Sequence, residues 1–301
     1  MIRETQGEVL TEAQRKQYSE QGYLVLAKRI PETILQRIRD EIDGFVQEAR
    51  GLTESNERLD LEDSHSPDAP RVRRVKAPYQ LSPTFRDLAR SDHILAPLRD
   101  LLGPSLRLHG SKLNMKAAGY GAAVEWHQDW AFYPHTNDDI LAVGVMIDDM
   151  APENGPLMVF PGSHRGPVHD HHAEGVFAGA MDLAACNLDP KDAVMLTGPA
   201  GSISLHHVRL VHGSAVNTSD RDRRLLLYEV AAADAFPIAG SMTAYEGLDD
   251  FDKRLLCGKA TLSPRMTPAP VRLPQPQPPK KGSIYEIQKA MKARSFAAAG
   301  N

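Results

Sequence analysis

Between Leu106 and Ala231 the chain breaks into short apolar runs bounded by Gly, Pro and Asn. The runs are Leu106–Lys116, Val124–Asp129, Ile140–Asp148, Leu157–Phe160, Ala193–Leu196, Ser202–His207, Leu210–Ser214 and Arg224–Ala231. Most are too short for helices, and stretches such as Gly119-Tyr120-Gly121 and Pro152-Glu153-Asn154-Gly155-Pro156 supply turns between them. Many short strands joined by tight turns specify a sandwich or barrel of the jelly-roll kind. Strands do not alternate with helices, and there is no GxGxxG or P-loop, so a nucleotide-binding α/β fold is disfavoured.

Helical signals flank this region. Thr11 and Gln14 fit a capping box for a helix to about Gln21, Gly22 ends it, and Tyr23–Leu26 reads as a strand. A second helix starts at Pro31 and buries Ile34, Ile38, Ile42 and Phe45 along one face. Residues 51–70 read as a mobile loop near the site entrance, and Arg71–Lys76 as a basic strand on a solvated sheet edge. Short helices over Pro83–Ala89 and Asp92–Leu102 precede Gly103-Pro104. Residues 164–190 interrupt the strands and read as a lid insertion. The division is therefore one domain over 1–263, with N-terminal helices 8–103 and a strand-rich core 104–235. A Pro-rich linker over 264–282 and a helical tail over 283–301, opened by a capping box at Ser283, complete it.

Composition excludes several classes. A net charge of −4 indicates no general attraction to nucleic acid or to an anionic membrane. No apolar run approaches the roughly 20 residues of a membrane span, and Met1–Thr5 lacks the apolar core of a signal peptide. Cys186 and Cys257 are the only cysteines, which speaks against a disulfide framework or thiolate metal site and makes the cytoplasm the default. If this chain binds a metal, its ligands are nitrogen and oxygen.

Val124-Glu125-Trp126-His127-Gln128-Asp129-Trp130 supplies such ligands. His127 and Asp129, two apart on an extended strand, leave the same face. An imidazole beside a carboxylate provides two of the three ligands of a facial triad that leaves positions open on iron(II). His212, in the middle of the Leu210–Ser214 run, meets that strand in a closed barrel as the third. Arg223, eleven residues on, is placed on a return strand where it can hold a carboxylate by two parallel charged hydrogen bonds. Open iron positions beside a carboxylate clamp are what a 2-oxo acid requires. Two rivals use the same ligands: a cupin-like zinc or manganese enzyme, which has no use for Arg223, and a non-catalytic metal- or ligand-binding barrel.

Trp126-His127-Gln128-Asp129, Glu153–Leu157 with Phe160–His164, and His212-Gly213-Ser214 with Asn217 and Arg223 together resemble the phytanoyl-CoA dioxygenase (PhyH) family of iron(II)/2-oxoglutarate-dependent oxygenases. The similarity runs over about residues 8–235 and includes Thr11–Leu26. It implies a mainly β protein with flanking helices and a double-stranded β-helix (jelly-roll, cupin-like) core. It implies Fe(II) on His127, Asp129 and His212, the distal carboxylate of 2-oxoglutarate on Arg223, and Ser214 and Lys112 in contact with that cosubstrate. Arg74 or Lys76 matches an upstream basic position. The implied reaction is oxidation of an unactivated C–H bond of a small organic molecule, with 2-oxoglutarate and O₂ converted to succinate and CO₂. The Asp129 carboxylate favours hydroxylation, or another oxidative outcome such as desaturation, over halogenation.

Trp130, Phe132, Tyr133, His135 and Asn137 follow the metal motif and are the expected substrate contacts, suiting a mostly apolar skeleton with one polar handle. The expected partner is this small molecule, with no nucleic acid and no membrane. For the tail, docking on its own chain and docking on a second copy in a homo-oligomer both fit.

Overall fold

The computed structural model describes residues 9–240, 247–278, 284–288 and 295–296; Ser283 and most of the tail expected to follow it lie outside these. The helices are α1 (Glu12–Gln21), α2 (Glu32–Ala49), α3 (Pro78–Leu81), α4 (Pro83–Arg90), α5 (Asp92–Leu102), α6 (Leu248–Asp252) and α7 (Ile284–Gln288). The strands begin with β1 (Tyr23–Leu26), β2 (Leu59–Leu61), β3 (Val72–Lys76), β4 (Leu106–Lys116), β5 (Val124–His127), β6 (Ile140–Met146) and β7 (Leu157–Val159). They continue with β8 (His172–Ala173), β9 (Val176–Phe177), β10 (Val194–Leu196), β11 (Ile203–His207), β12 (His212–Ser214), β13 (Arg223–Ala232) and β14 (Leu255–Cys257).

A jelly-roll core results from two antiparallel sheets. The larger runs β1-β11-β6-β13-β4-β3-β2, with β14 also on β4; the smaller runs β10-β7-β12-β5. β13 shows how sequence sets the layers. Its even residues Leu226, Tyr228 and Val230 join a core shared with Ile38, Phe85 and Leu98 of the helices, and the Tyr228 hydroxyl donates to the Phe85 carbonyl at 2.8 Å. Its odd residues Arg223, Leu225, Leu227 and Glu229 take the opposite face, as strand periodicity requires. They pair in register with Lys116, Asn114, Lys112 and Gly110 of β4. Between Glu229 and Val230 the register slips, because Val230 pairs with Leu108. His109 is thus the extra residue of a β-bulge, a device that re-aims a side chain.

The N-terminal region before β4 is tied to the barrel at specific points. α1 carries the Thr11–Gln14 capping box and stops at Gly22, whose φ of +81° only glycine adopts freely. A Cβ there would also lie 2.5 Å from His164 Nδ1. Two expectations are corrected here. Residues 51–70 are not simply a loop, because Leu59–Leu61 forms the fully buried β2. Its pairing makes β3 an internal strand instead of a solvated edge. The reason is charge matching: Asp60 of β2 pairs with Arg74 at 2.8 Å and Lys76 at 2.7 Å, so both cations are engaged by one buried carboxylate. The Pro-rich stretch, over its described part, runs against the barrel: the Pro276 carbonyl accepts from Phe177 N at 2.8 Å and the Pro270 carbonyl from Trp130 Nε1 at 2.7 Å. No helix among the described residues is long and apolar enough to cross a membrane.

Candidate active site

β5 and β12 pair with His127 opposite His212, which sets the two imidazoles side by side with ring centroids 4.1 Å apart. The strand ends at His127, and Asp129 opens a 3₁₀ turn over Asp129–Ala131 instead of continuing the strand. Its carboxylate still turns back onto the imidazoles, 3.8 Å from His127 Nε2 and 4.0 Å from His212 Nε2. One donor atom from each of the three residues lies within 4.8 Å of the others. These gaps are too long for hydrogen bonds and are ones that a metal ion bridges.

The imidazoles are oriented by their own strands. His127 Nδ1 lies 2.7 Å from the Glu125 carbonyl and His212 Nδ1 2.9 Å from the Leu210 carbonyl, each two residues back. An acceptor at Nδ1 requires the proton there, leaving the Nε2 lone pairs free for a metal. His135 and His171 use the same contact, with the Tyr133 and His169 carbonyls. Burial depresses His127 to about 4 and holds His212 well below the ordinary histidine range, so both are neutral near pH 7. Burial works to raise the Asp129 carboxyl, but Lys112 and then His206, His212 and His127 hold it well below the usual carboxylate range. The donor set is two neutral imidazoles and one carboxylate, the composition of an iron(II) facial triad. His206 is the neighbour that sequence reasoning missed. Its Nε2 lies 3.8 Å from Asp129, and its Nδ1 is buried without a partner among the described residues.

A cavity extends from the triad between the sheets to Ser214 and Arg223. Cross-strand pairing puts Lys116 beside Arg223 there, and both are almost wholly buried. Lys116 Nζ donates to Ser214 Oγ at 2.9 Å and to the carbonyls of Ser214 and Ala215. Arg223 Nη2 donates to the Gly155 carbonyl at 2.6 Å, while Arg223 Nε is buried with no partner among the described residues. Burial and then the Arg223 charge hold the Lys116 ammonium well below the ordinary lysine range, and burial lowers Arg223 to about 10. Neither forms an ion pair with a described carboxylate. Two adjacent buried cations without a counter-ion are costly, and a bound carboxylate removes that cost. The cavity therefore fits a molecule that ligates a metal at one end and presents a carboxylate at the other. Lys112 lines the same cavity, with Nζ 2.8 Å from Glu229.

The expected substrate contacts divide. Phe132 stands edge-on to His127 at 5.7 Å. Tyr133 packs on His109 at 4.1 Å, and burial followed by Asp129 and Glu229 holds its hydroxyl well above the ordinary tyrosine range. His135 lies 5.1 Å from His109. Trp130 and Asn137 are placed elsewhere, packed into core and loops. The 3₁₀ turn sends Trp130 into a separate core with Ile140 and Val208. Asn137 is fully buried and donates to the Asp234 and Arg265 carbonyls, fixing loops. A second cavity of about 400 Å³ is bounded by Tyr79, His109, Glu229, Asp250, Lys253 and Arg254.

The profile of the phytanoyl-CoA dioxygenase (PhyH) family matches residues 18–225. The chain is 36% identical over 287 residues to a probable alpha-ketoglutarate-dependent hypophosphite dioxygenase of Stutzerimonas stutzeri, spanning 94% of this chain and 99% of that protein. It is 31% identical over 230 residues to L-proline trans-4-hydroxylase of Streptomyces griseoviridis, spanning 70% and 82%. Its fold matches EctD from S. alaskensis with bound Fe at a TM-score of 0.66 and 22% identity, over 88% of this chain and 90% of that one.

Proposed function

Since the chain belongs to the phytanoyl-CoA dioxygenase family and is an iron(II)/2-oxoglutarate-dependent dioxygenase, we propose that it hydroxylates a small phosphorus oxoanion, or a small molecule that carries one. The observation that carries this is a cavity of about 400 Å³ bordered by His109, with Lys253 and Arg254 on its wall. The size suits a compact ligand, and Lys253, beside the Arg254–Asp250 pair at 3.6 Å, suits an anion. The similarity to a hypophosphite dioxygenase supports the same class. The aromatic residues that suggested an apolar substrate body do not line this cavity, so that substrate is not proposed.

In this reading His127, Asp129 and His212 hold iron(II), and Arg223 with Lys116 and Ser214 holds the distal carboxylate of 2-oxoglutarate. Iron and 2-oxoglutarate supply the oxidising chemistry when bound, with O₂ consumed and succinate and CO₂ released. Lys112 neutralises Glu229 and keeps Asp129 ionised, holding the charge balance between the two cavities. Phe132 stands edge-on to His127, and Tyr133 packs on His109, which borders the substrate cavity.

The cavity also carries carboxylates, Glu229 at 2.8 Å from Lys112 and Asp250 at 3.6 Å from Arg254, whose remaining lone pairs can accept from an ammonium group. They favour a second reading, hydroxylation at carbon of an amino-acid-like molecule, as in the proline hydroxylase relative. The test is succinate release by iron-loaded protein, above the substrate-free rate, with hypophosphite and with L-proline in parallel. Stimulation by hypophosphite is the expected result. Stimulation by L-proline alone replaces the first reading with the second, and stimulation only by large apolar acids overturns both.

A further inference from the structure

The C-terminal segment is built into the wall of the first cavity. Ile284 and Tyr285 of α7 line it together with Ser214 and Arg223. Tyr285 is 5% exposed, and the Arg73 guanidinium sits over its ring at 4.8 Å. Its hydroxyl is buried and has no hydrogen-bond partner among the described residues. A buried phenol without a partner costs free energy that a ligand acceptor restores. Its neighbour on the cavity wall is Arg223, which has no carboxylate partner among the described residues, so the missing acceptor and the missing anion border the same cavity.

The segment is held there by specific contacts. Gln288 accepts from Glu125 N at 3.0 Å and donates to the Gly179 carbonyl at 2.8 Å. The Glu125 carboxylate accepts from Ser295 N at 2.8 Å, and Phe296 packs on Trp126 at 5.1 Å. Glu125 is also the residue whose carbonyl orients His127. One residue thus fixes a triad imidazole through its backbone and the tail through its side chain.

We propose that Tyr285 is a cosubstrate-binding residue: its O–H donates to the distal carboxylate of 2-oxoglutarate beside Arg223, and the docked tail closes the cosubstrate cavity. This rests on the assignment of the Arg223 end of the cavity to that carboxylate. Filling the cavity completes the hydrogen bonding of Tyr285, so bound 2-oxoglutarate holds the tail down. A keto acid without a distal carboxylate does not.

Calorimetry on the full-length, metal-loaded protein tests this with 2-oxoglutarate and with 2-oxobutanoate, which lacks the second carboxylate. Tyr285→Phe weakens 2-oxoglutarate binding about tenfold, the effect of one hydrogen bond to a charged group, and leaves 2-oxobutanoate binding within twofold. In the wild type, 2-oxoglutarate but not 2-oxobutanoate slows tryptic cleavage in the tail, which carries Lys289, Lys292 and Arg294. Gln288→Ala, which loosens the tail without touching the cavity wall, reduces that protection. Arg223→Ala separates the two layers of the argument. If it leaves 2-oxoglutarate affinity unchanged, the cavity assignment falls and this inference falls with it. If Arg223→Ala weakens binding while Tyr285→Phe does not, or if Tyr285→Phe weakens both keto acids equally, the cavity assignment stands and the role of Tyr285 is overturned.

Discussion

Replacing Arg223 with methionine separates a cation kept for binding from one kept for folding. The guanidinium is wholly buried, and burial lowers it from its ordinary value to about 10. The drop corresponds to about 3 kcal/mol of unfavourable free energy for the charged form. At pH 7 the group is charged folded and unfolded alike, so the whole cost applies; it fades only as pH rises above about 10. Against it stands one charged hydrogen bond, from Nη2 to the Gly155 carbonyl, a contribution of about 1.5–3 kcal/mol. The two nearly cancel, so Arg223→Met leaves the stability of the cosubstrate-free protein within about 1 kcal/mol of wild type. Binding behaves differently. Removing one partner of a buried charge pair costs about 3 kcal/mol, or about 100-fold in affinity. The assay is urea unfolding of metal-loaded protein with and without 2-oxoglutarate at about 100 times the wild-type Kd. Wild type gains about 2.7 kcal/mol from the ligand and the variant about 0.4. A variant that loses several kcal/mol without ligand yet keeps the full ligand-dependent gain would refute the reasoning and make Arg223 structural.

Other outcomes follow from the same geometry. Asp129→Gly abolishes substrate-dependent succinate formation and weakens metal binding, read by metal titration, because the remaining imidazoles supply only neutral donors; full retained turnover takes Asp129 out of the metal site. Burial holds His109, His135, His171 and His207 near about 3, whereas unfolded they titrate near 6.5. The unfolded chain therefore binds protons that the folded one does not, and stability falls as pH drops from about 6.5 towards about 3. His171→Gln flattens that slope by about 1 kcal/mol per pH unit in urea titrations, and an unchanged slope would mean that His171 is already protonated in the fold.

The meeting of His127, Asp129 and His212 was legible because local pattern and topology agree. A two-residue spacing beside a strand end faces one way, and closing a barrel of antiparallel strands brings a late strand onto an early one. Trp130 was misplaced for the complementary reason. Strand parity stops at His127, and the turn of Asp129–Ala131 rotates each next side chain by about 120°, so proximity in sequence ceased to mean proximity in space. Lys116 carried a partial signal, since it shares the parity of Lys112 and Asn114 on β4. Its register against Arg223, and hence the doubled charge, is a property of the folded sheet. The partnership of β2 with the basic β3, the seating of Tyr285 and the bulge at His109 all depend on pairings distant in sequence, which no local pattern encodes.

The self-contained bracing of the imidazoles has a consequence for how such a protein changes over time. His127 and His212 are held by carbonyls of their own strands, so their aim depends on backbone that every substitution leaves in place. Many metal sites recruit a second side chain for this task, and mutation of that side chain erodes the metal. Here the residues lining the neighbouring 400 Å³ cavity carry no such duty to the imidazoles. Apart from Glu229, which holds Lys112, they can be exchanged for others while both imidazoles keep their orientation, which leaves substrate choice open to drift, selection or redesign.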